Sequence, residues 1–250
     1  MTKPRNIVIS GIAGGIGSTI ARAIGEHGDV VFGIDCKPYD ADIIEGYFYL
    51  ADIRADEDIA KVANQIEEEF GPVDVLINSA AVLRTSPAET MRSSDWREVV
   101  DVNLTGTFIL CREFGKFMLR RHRGKIINIA SRCGKIGYPY TAAYNASKAG
   151  IISLTKTLAV EWSGRGVNVN SIIPGFVLTD MSTREAGDEC ISASLIRNIP
   201  AGKASVPSDL VGAVQFLASE EANYVNGIEL VVDGGTIAAS GTAALLVENQ

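Results

Sequence analysis

Tyr144-Asn145-Ala146-Ser147-Lys148 sets a phenol four residues ahead of an ammonium, at the start of an apolar-periodic run through Ala149, Ile152, Leu154 and Leu158. If that run is helical, the two side chains share one face. A free phenol titrates near pH ~10 and is a poor proton shuttle at neutrality. A neighbouring cation favours the phenolate and lowers that value. The pair could then pass a proton to or from an alcohol oxygen. A Tyr and a Lys four apart also describe an ordinary solvated helix face, so the rest of the chain has to choose between the readings.

A second stretch points to a phosphate-bearing ligand. Ser10-Gly11-Ile12-Ala13-Gly14-Gly15-Ile16-Gly17 lies between a strand-like run and a helical pattern. There the glycines let the backbone turn tightly, approach a pyrophosphate and aim helix N–H groups at it. Asp35, at the tip of the next strand-like run, stands about twenty residues on, where a carboxylate can accept from an adenosine ribose. A 2′-phosphate would meet that charge, and Gly14 and Cys36 offer no compensating cation, so the sequence favours NAD over NADP. Asp35 could instead start a turn with Lys37-Pro38. Asp52 could face the adenine edge or cap the following helix.

The elements that must position these groups alternate in type. Strand-like runs cover 6–10, 30–34, 47–50, 73–77, 125–129, 167–173 and 228–232, with helical patterns between them. The charged helix bearing Ile59, Val62, Ile66 and Phe70 stops at Gly71-Pro72, as helices do. A long helical stretch extends from about 95 to 121, and another helix covers 207–218. Strands apolar on both faces and separated by helices imply a parallel sheet covered on two sides. The expected fold is α/β, a doubly wound parallel sheet, with residues 1–250 as one domain.

Composition narrows the function. Of 250 residues, 46% are hydrophobic and 21% charged, ordinary for a globular chain. The net charge of -7 argues against a nucleic-acid partner. Cys36, Cys111, Cys133 and Cys190 form no Cys-x-x-Cys, and with only His27 and His122 beside them no metal site is expected. Neither a signal segment nor a membrane-spanning stretch is evident, so reduced thiols and a cytoplasmic setting are expected.

The ordered set Gly11, Gly15, Gly17, Asp52, Asn78-Ser79-Ala80-Ala81, Asn103, Ser131, Tyr144, Lys148 and Pro174-Gly175 resembles the short-chain dehydrogenases/reductases over essentially the whole chain. The resemblance implies a Rossmann-like sheet of about seven strands and hydride transfer between a nicotinamide and an alcohol or carbonyl. It implies Tyr144 as the acid-base, Lys148 lowering its pKa and holding the nicotinamide ribose, Ser131 donating to the substrate oxygen, and Asn103 fixing a water chain to Lys148. Cofactor contacts would come from Gly11, Gly14, Gly15, Ile16, Gly17, Asp35, Asp52, Ile53, Asn78, Ala80, Tyr144, Lys148, Pro174, Gly175, Val177 and Thr179. The chain departs from the family pattern where Ser10 replaces Thr, and where Ser79 and Ala81 replace an amide and a glycine, which would reshape the turn beside the cofactor.

Specificity is less legible. Residues 180–206 occupy the family's substrate-lid position. Arg84 and Arg132 flank the expected site, and either could bind a carboxylate, sulfonate or phosphate; surface or subunit contact is the other reading. Tyr138, Phe176, Met181 and Leu83 are candidate pocket walls, and Cys133 a packing residue. Extra apolar positions on two helices, including Phe108, Leu110, Phe114 and Phe117, suggest a homo-oligomer, a dimer or the tetramer common in the family. Three functions follow: an NAD-dependent dehydrogenase of a secondary alcohol, polyol, sugar-acid-like or otherwise anionic; a 3-oxoacyl-type carbonyl reductase using NADPH; or a non-catalytic NAD-binding sensor or scaffold.

Overall fold

A computed structural model describes residues 4–39, 46–186 and 196–239. Strands β1 (Asn6–Ser10), β2 (Val30–Asp35), β3 (Gly46–Leu50), β4 (Val73–Asn78), β5 (Gly124–Ile129), β6 (Val167–Pro174) and β7 (Glu229–Val232) form one sheet in the order β3-β2-β1-β4-β5-β6-β7. Every pairing is parallel. The helices are α1 (Gly15–Glu26), α2 (Asp56–Glu69), α3 (Ser93–Val100), α4 (Thr107–Arg120), α5 (Ala142–Trp162), α6 (Asp180–Ala186), α7 (Val211–Ala218) and the short α8 (Thr236–Ala239).

Alternation along the strands sends side chains to two separate cores. Val8, Leu76 and Ile126 join Ile59, Ile66, Leu110 and Phe114 from α2 and α4. Ile7, Ile9, Ile77 and Ile127 join Ile20, Ile24, Val214 and Leu217 from α1 and α7. Burying such a side chain contributes about 1.5–3 kcal/mol each. Both faces of the central strands are therefore covered, as the uninterrupted apolar runs require. The edge strand β3 is the exception; its Tyr47 stacks on Phe32 with ring centroids 5.2 Å apart.

The chain leaves β1 toward β2 and β3, then returns to place β4 on the other side of β1. The resulting crevice at the carboxyl ends of β1 and β4 is where α/β sheets bind ligands. The long helix expected over 95–121 is interrupted: α3 and α4 are joined by a π turn, Asp101–Gly106. The helix expected from Pro207 opens as a 3-10 turn, Pro207–Leu210, before α7. Asp233-Gly234-Gly235 starts α8, with the Asp233 carboxylate accepting from the N–H groups of Gly235 and Ile237 at 2.9 and 2.7 Å. Of the apolar positions expected to face another subunit, Leu110 and Phe114 lie wholly in the core, whereas Phe108 is exposed. Among the described residues, no helix is long and apolar enough to cross a membrane.

Candidate active site

Ser131 follows β5 and caps a 3-10 turn, Arg132–Gly134, with its Oγ accepting from the Cys133 N–H at 3.1 Å. That turn lies hard against α5: a Cβ on Gly134 would stand 2.7 Å from the Lys148 carbonyl carbon, so only glycine fits. The packing brings Ser131 to Tyr144 in the first turn of α5, where its hydroxyl hydrogen-bonds the phenol. Lys148, one turn further, is buried; its Nζ donates to the Ile129 carbonyl at 2.8 Å and lies 5.5 Å from the Tyr144 ring centroid. The three side chains named from spacing and resemblance thus meet at the carboxyl end of β5.

The electrostatics differ from the expectation. Burial pushes the Tyr144 phenol upward, the Cys133 thiol adds to that, and only the Ser131 hydrogen bond pulls down. Burial also lowers Lys148, to about 8. The pull that the ammonium is expected to exert on the phenol is thus set against desolvation of both groups, which is the larger influence here. At neutral pH Lys148 remains charged.

Asn103, fully buried in the π turn, spends its amide on backbone and hydroxyl partners. Its Oδ1 accepts from the Val82 N–H at 2.8 Å, and its Nδ2 donates to the Val82 carbonyl at 3.0 Å and to Ser147 Oγ at 3.1 Å. Ser147 Oγ in turn donates to the Tyr144 carbonyl at 2.8 Å. Thr107 Oγ1 donates to the Asn103 carbonyl at 2.6 Å. The irregular turn is thus the geometry that lets one amide tie the loop after β4 to the helix carrying Tyr144. Ser147 was not among the residues singled out, although its place between Tyr144 and Lys148 was a readable signal.

The crevice between β1 and β4 suits a dinucleotide. Gly11 has φ +72°, and a Cβ there would come within 2.6 Å of Ala80 N, so the turn rests on backbone. Ser10 Oγ accepts from Ser79 N–H at 3.3 Å and faces Ala80 N at 3.5 Å, which keeps the altered Ser79-Ala80-Ala81 turn anchored to β1. Helix α1 starts at Gly15 with Gly14 at its cap, no side-chain cap and no acidic residue in its first turn. Its leading N–H groups and dipole are left for an anion. Asp35 accepts from the N–H groups of Ala13 and Lys37, each at 3.0 Å, which places the carboxylate at the rim of the glycine turn. Thr179 caps α6 with Ser182, and its methyl would lie 3.3 Å from a Cβ on Gly15. Val177 is buried, Pro174 ends β6, and Gly175 packs against Asp233.

Other expected contacts fall elsewhere. Asp52 lies past the end of β3 and neither caps α2, whose cap is Ala55, nor stands free: Arg54 holds it at 2.5 Å. That guanidinium keeps the Asp52 carboxyl below its usual range. The Ile53 side chain is in the core, and Ile16 packs partly on the α1 side. Asn78 turns inward, donating to Asn128 Oδ1 at 2.8 Å and to Cys111 Sγ at 3.3 Å, and Asn128 continues to Thr155 Oγ1 at 2.9 Å. Nothing in the sequence marked that buried chain. Phe176 lines a cavity of about 180 Å³ with Ile199, Lys203, Val232 and Asp233, whose walls include neither Ser131 nor Tyr144. Arg84 is committed to Glu98 by two hydrogen bonds, 3.0 and 2.9 Å. Arg132 instead lies over the Tyr138 ring, 5.2 Å from its centroid. Met181 is exposed on α6, and residues 187–195 of the expected lid, with Cys190, lie outside the described residues, as do 240–250 of the tail.

Comparison with known proteins agrees with this geometry. Residues 11–236 match the family model described as enoyl-(acyl carrier protein) reductase. D-threitol dehydrogenase of Mycolicibacterium smegmatis is 36% identical over 237 residues, 91% of each chain. A 3-oxoacyl-(acyl-carrier-protein) reductase of Vibrio cholerae is 37% identical over 91% of this chain and 95% of its own. A solved gluconate 5-dehydrogenase of Burkholderia cenocepacia, in complex with NADP and tartrate, matches with a TM-score of 0.89 at 29% identity, covering 95% of this chain and 97% of that one. The chain belongs to the short-chain dehydrogenase/reductase family. It is accordingly a nicotinamide-dependent oxidoreductase.

Proposed function

We propose that the protein oxidises a secondary alcohol of the polyol or sugar-acid class, with NAD as the preferred cofactor. The observation that carries this reading is the meeting of Ser131, Tyr144 and Lys148 at the end of β5, beside the crevice at Gly11–Gly17. A bound nicotinamide supplies the hydride acceptor. Ser131 donates to the substrate oxygen and steadies its developing charge. Tyr144 takes the alcohol proton in oxidation and returns it in reduction. Lys148, charged below about pH 8, stabilises the phenolate that each turnover must form. Asn103 is a positioning residue, acting through Ser147 on the first turn of α5.

Asp35 supports NAD: its carboxylate stands at the glycine turn, and Arg54, a cation on the adjoining loop, is spent on Asp52. A 3-oxoacyl-type reduction with NADPH is the second reading, favoured by the Vibrio cholerae relative and by the NADP named for the solved neighbour. In either case the protein acts as a homo-oligomer in the cytoplasm, with the exposed Phe108 of α4 and Val160 of α5 facing another copy.

The test is to assay alditols, aldonates and 3-oxoacyl thioesters with both cofactors, following absorbance of the reduced nicotinamide. NAD should give the higher kcat/KM on a polyol or aldonate; preference for NADPH and the thioester would replace this reading with the second. Tyr144→Phe should keep NADH binding, read by fluorescence, while turnover falls about 10²- to 10⁴-fold. Unchanged turnover would remove Tyr144 from its assigned role.

A further inference from the structure

Arg5, Arg112, Arg121 and Arg132 are the partly buried arginines among the described residues, the others being more exposed. Arg5 is bound by Asp29, Arg112 by Asp56 and Glu113, and Arg121 by Glu67. Arg132 alone in this set has no carboxylate among the described residues. Its guanidinium lies instead over the face of Tyr138, 5.2 Å from the ring centroid. A ring face answers part of the charge but accepts none of the five N–H donors. Carboxylates are not scarce in the chain, with 30 Asp and Glu against 23 Lys and Arg.

The turn is also held in place. Tyr138 O accepts from Asn145 Nδ2 at 3.1 Å, and the single proton of Thr141 Oγ1 is shared between Tyr138 O and Asn145 Oδ1, each 2.9 Å away. Asn145 is the neighbour of Tyr144, so the ring that carries the guanidinium is fixed to the helix that carries the phenol. Tyr140, with φ +64°, a conformation rare for an aromatic residue, offers its carbonyl to the Ser86 N–H at 2.8 Å and so ties this segment to the loop after β4. Arg132 itself directly follows Ser131. A braced segment thus carries a planar set of donors on the residue directly after the one whose hydroxyl meets the Tyr144 phenol.

From this we infer that Arg132 is the specificity-determining residue for substrate charge, and that the substrate is an anion, a hydroxy acid. The inference rests on the proposed oxidation at Ser131 and Tyr144 and names the substrate class of that same site. A partly buried guanidinium with no carboxylate of its own keeps its planar donors for one carried by the substrate, which makes the pairing selective.

The test compares each aldonate with its own alditol, four to six carbons long, in wild type, Arg132→Gln and Arg132→Lys. The quantity read is the ratio of kcat/KM for acid over polyol, with NADH affinity measured on the same preparations to certify the fold. Wild type should prefer the acids. Arg132→Gln should lower the ratio about ten- to a hundredfold, mainly through KM, as expected for a lost charge-assisted pair. Arg132→Lys should recover part of it, keeping the charge without the paired geometry. Calorimetric binding of tartrate to the enzyme–NADH complex should weaken in the same order, and it gives an answer even where no aldonate turns over. A wild type that prefers polyols and ignores tartrate, or a ratio unmoved in Arg132→Gln, overturns the inference. Failure of the underlying reading looks different: Tyr144→Phe would then leave turnover intact while tartrate binding still depends on Arg132.

Discussion

The loop after β4 and the turn after β5 face each other across the site, and each carries an arginine, yet they are built in opposite ways. In the β4 loop Val82 and Arg84 are both answered from within. Val82 exchanges both backbone hydrogen bonds with Asn103, and Arg84 is closed by Glu98. In the β5 turn the backbone is fixed but the side chains are turned to the site: Ser131 meets the Tyr144 phenol, and Arg132 has an aromatic face where Arg84 has a carboxylate. The difference teaches that one wall is a strut and the other a reading surface. Substitutions in the strut should register as lost stability, and those in the reading surface as altered kinetics.

The largest effect on the strut should come from Asn103→Ala. It leaves the Val82 N–H and carbonyl without their partner inside the protein and frees Ser147. Stability should drop by roughly 1–3 kcal/mol, seen as a few degrees in Tm for a chain of this size. Turnover should fall with it, since the start of α5 loses its tie. Unchanged Tm and kcat would mean that the π turn holds its shape without the amide, and the strut would lose its central member.

The β5 side should respond to pH. Lys148 sits at about 8 because burial disfavours its charge. In carbonyl reduction Tyr144 gives up its proton and becomes a phenolate, which the charged lysine stabilises. The sign follows: reduction is sustained below about pH 8 and declines above it, as Lys148 loses its proton. Lys148→Arg, whose side chain stays charged, should remove that alkaline decline even at a lower rate. A decline that persists in Lys148→Arg assigns the limb to another group.

What the sequence revealed tracks what spacing can encode. The glycine turn, Asp35, Ser131, Tyr144 and Lys148 each occupy a fixed register on a strand end or helix turn, and the sheet delivers them together. The catalytic pair was legible as i and i+4, but its electrostatics were not, because burial of both groups outweighs their proximity and burial is a property of the folded surroundings. The side-chain partners of Asn78 and Asp52, Asn128 and Arg54, were not legible for a related reason: no local pattern announces them. The break between α3 and α4 was hidden too, since the apolar period runs through it and only the tertiary bond of Asn103 to Val82 explains the irregular turn.

The smallest expected effect is the sharpest control on the comparison. Arg84 and Arg132 were indistinguishable by sequence, each an arginine a few residues past a strand end. Arg84 is half exposed, with 48% of its side chain accessible and 36% of Glu98. An ion pair so placed is worth about 0–1 kcal/mol, screened by solvent and salt. Arg84→Ala should therefore shift stability by less than about 1 kcal/mol, and that shift should shrink further in high salt. It should also leave the acid-over-polyol ratio where wild type has it, because its donors already belong to Glu98. If Arg84→Ala instead lowers that ratio as far as Arg132→Gln does, the Glu98 pair opens to receive substrate, and the wall described as a strut would be a second reading surface.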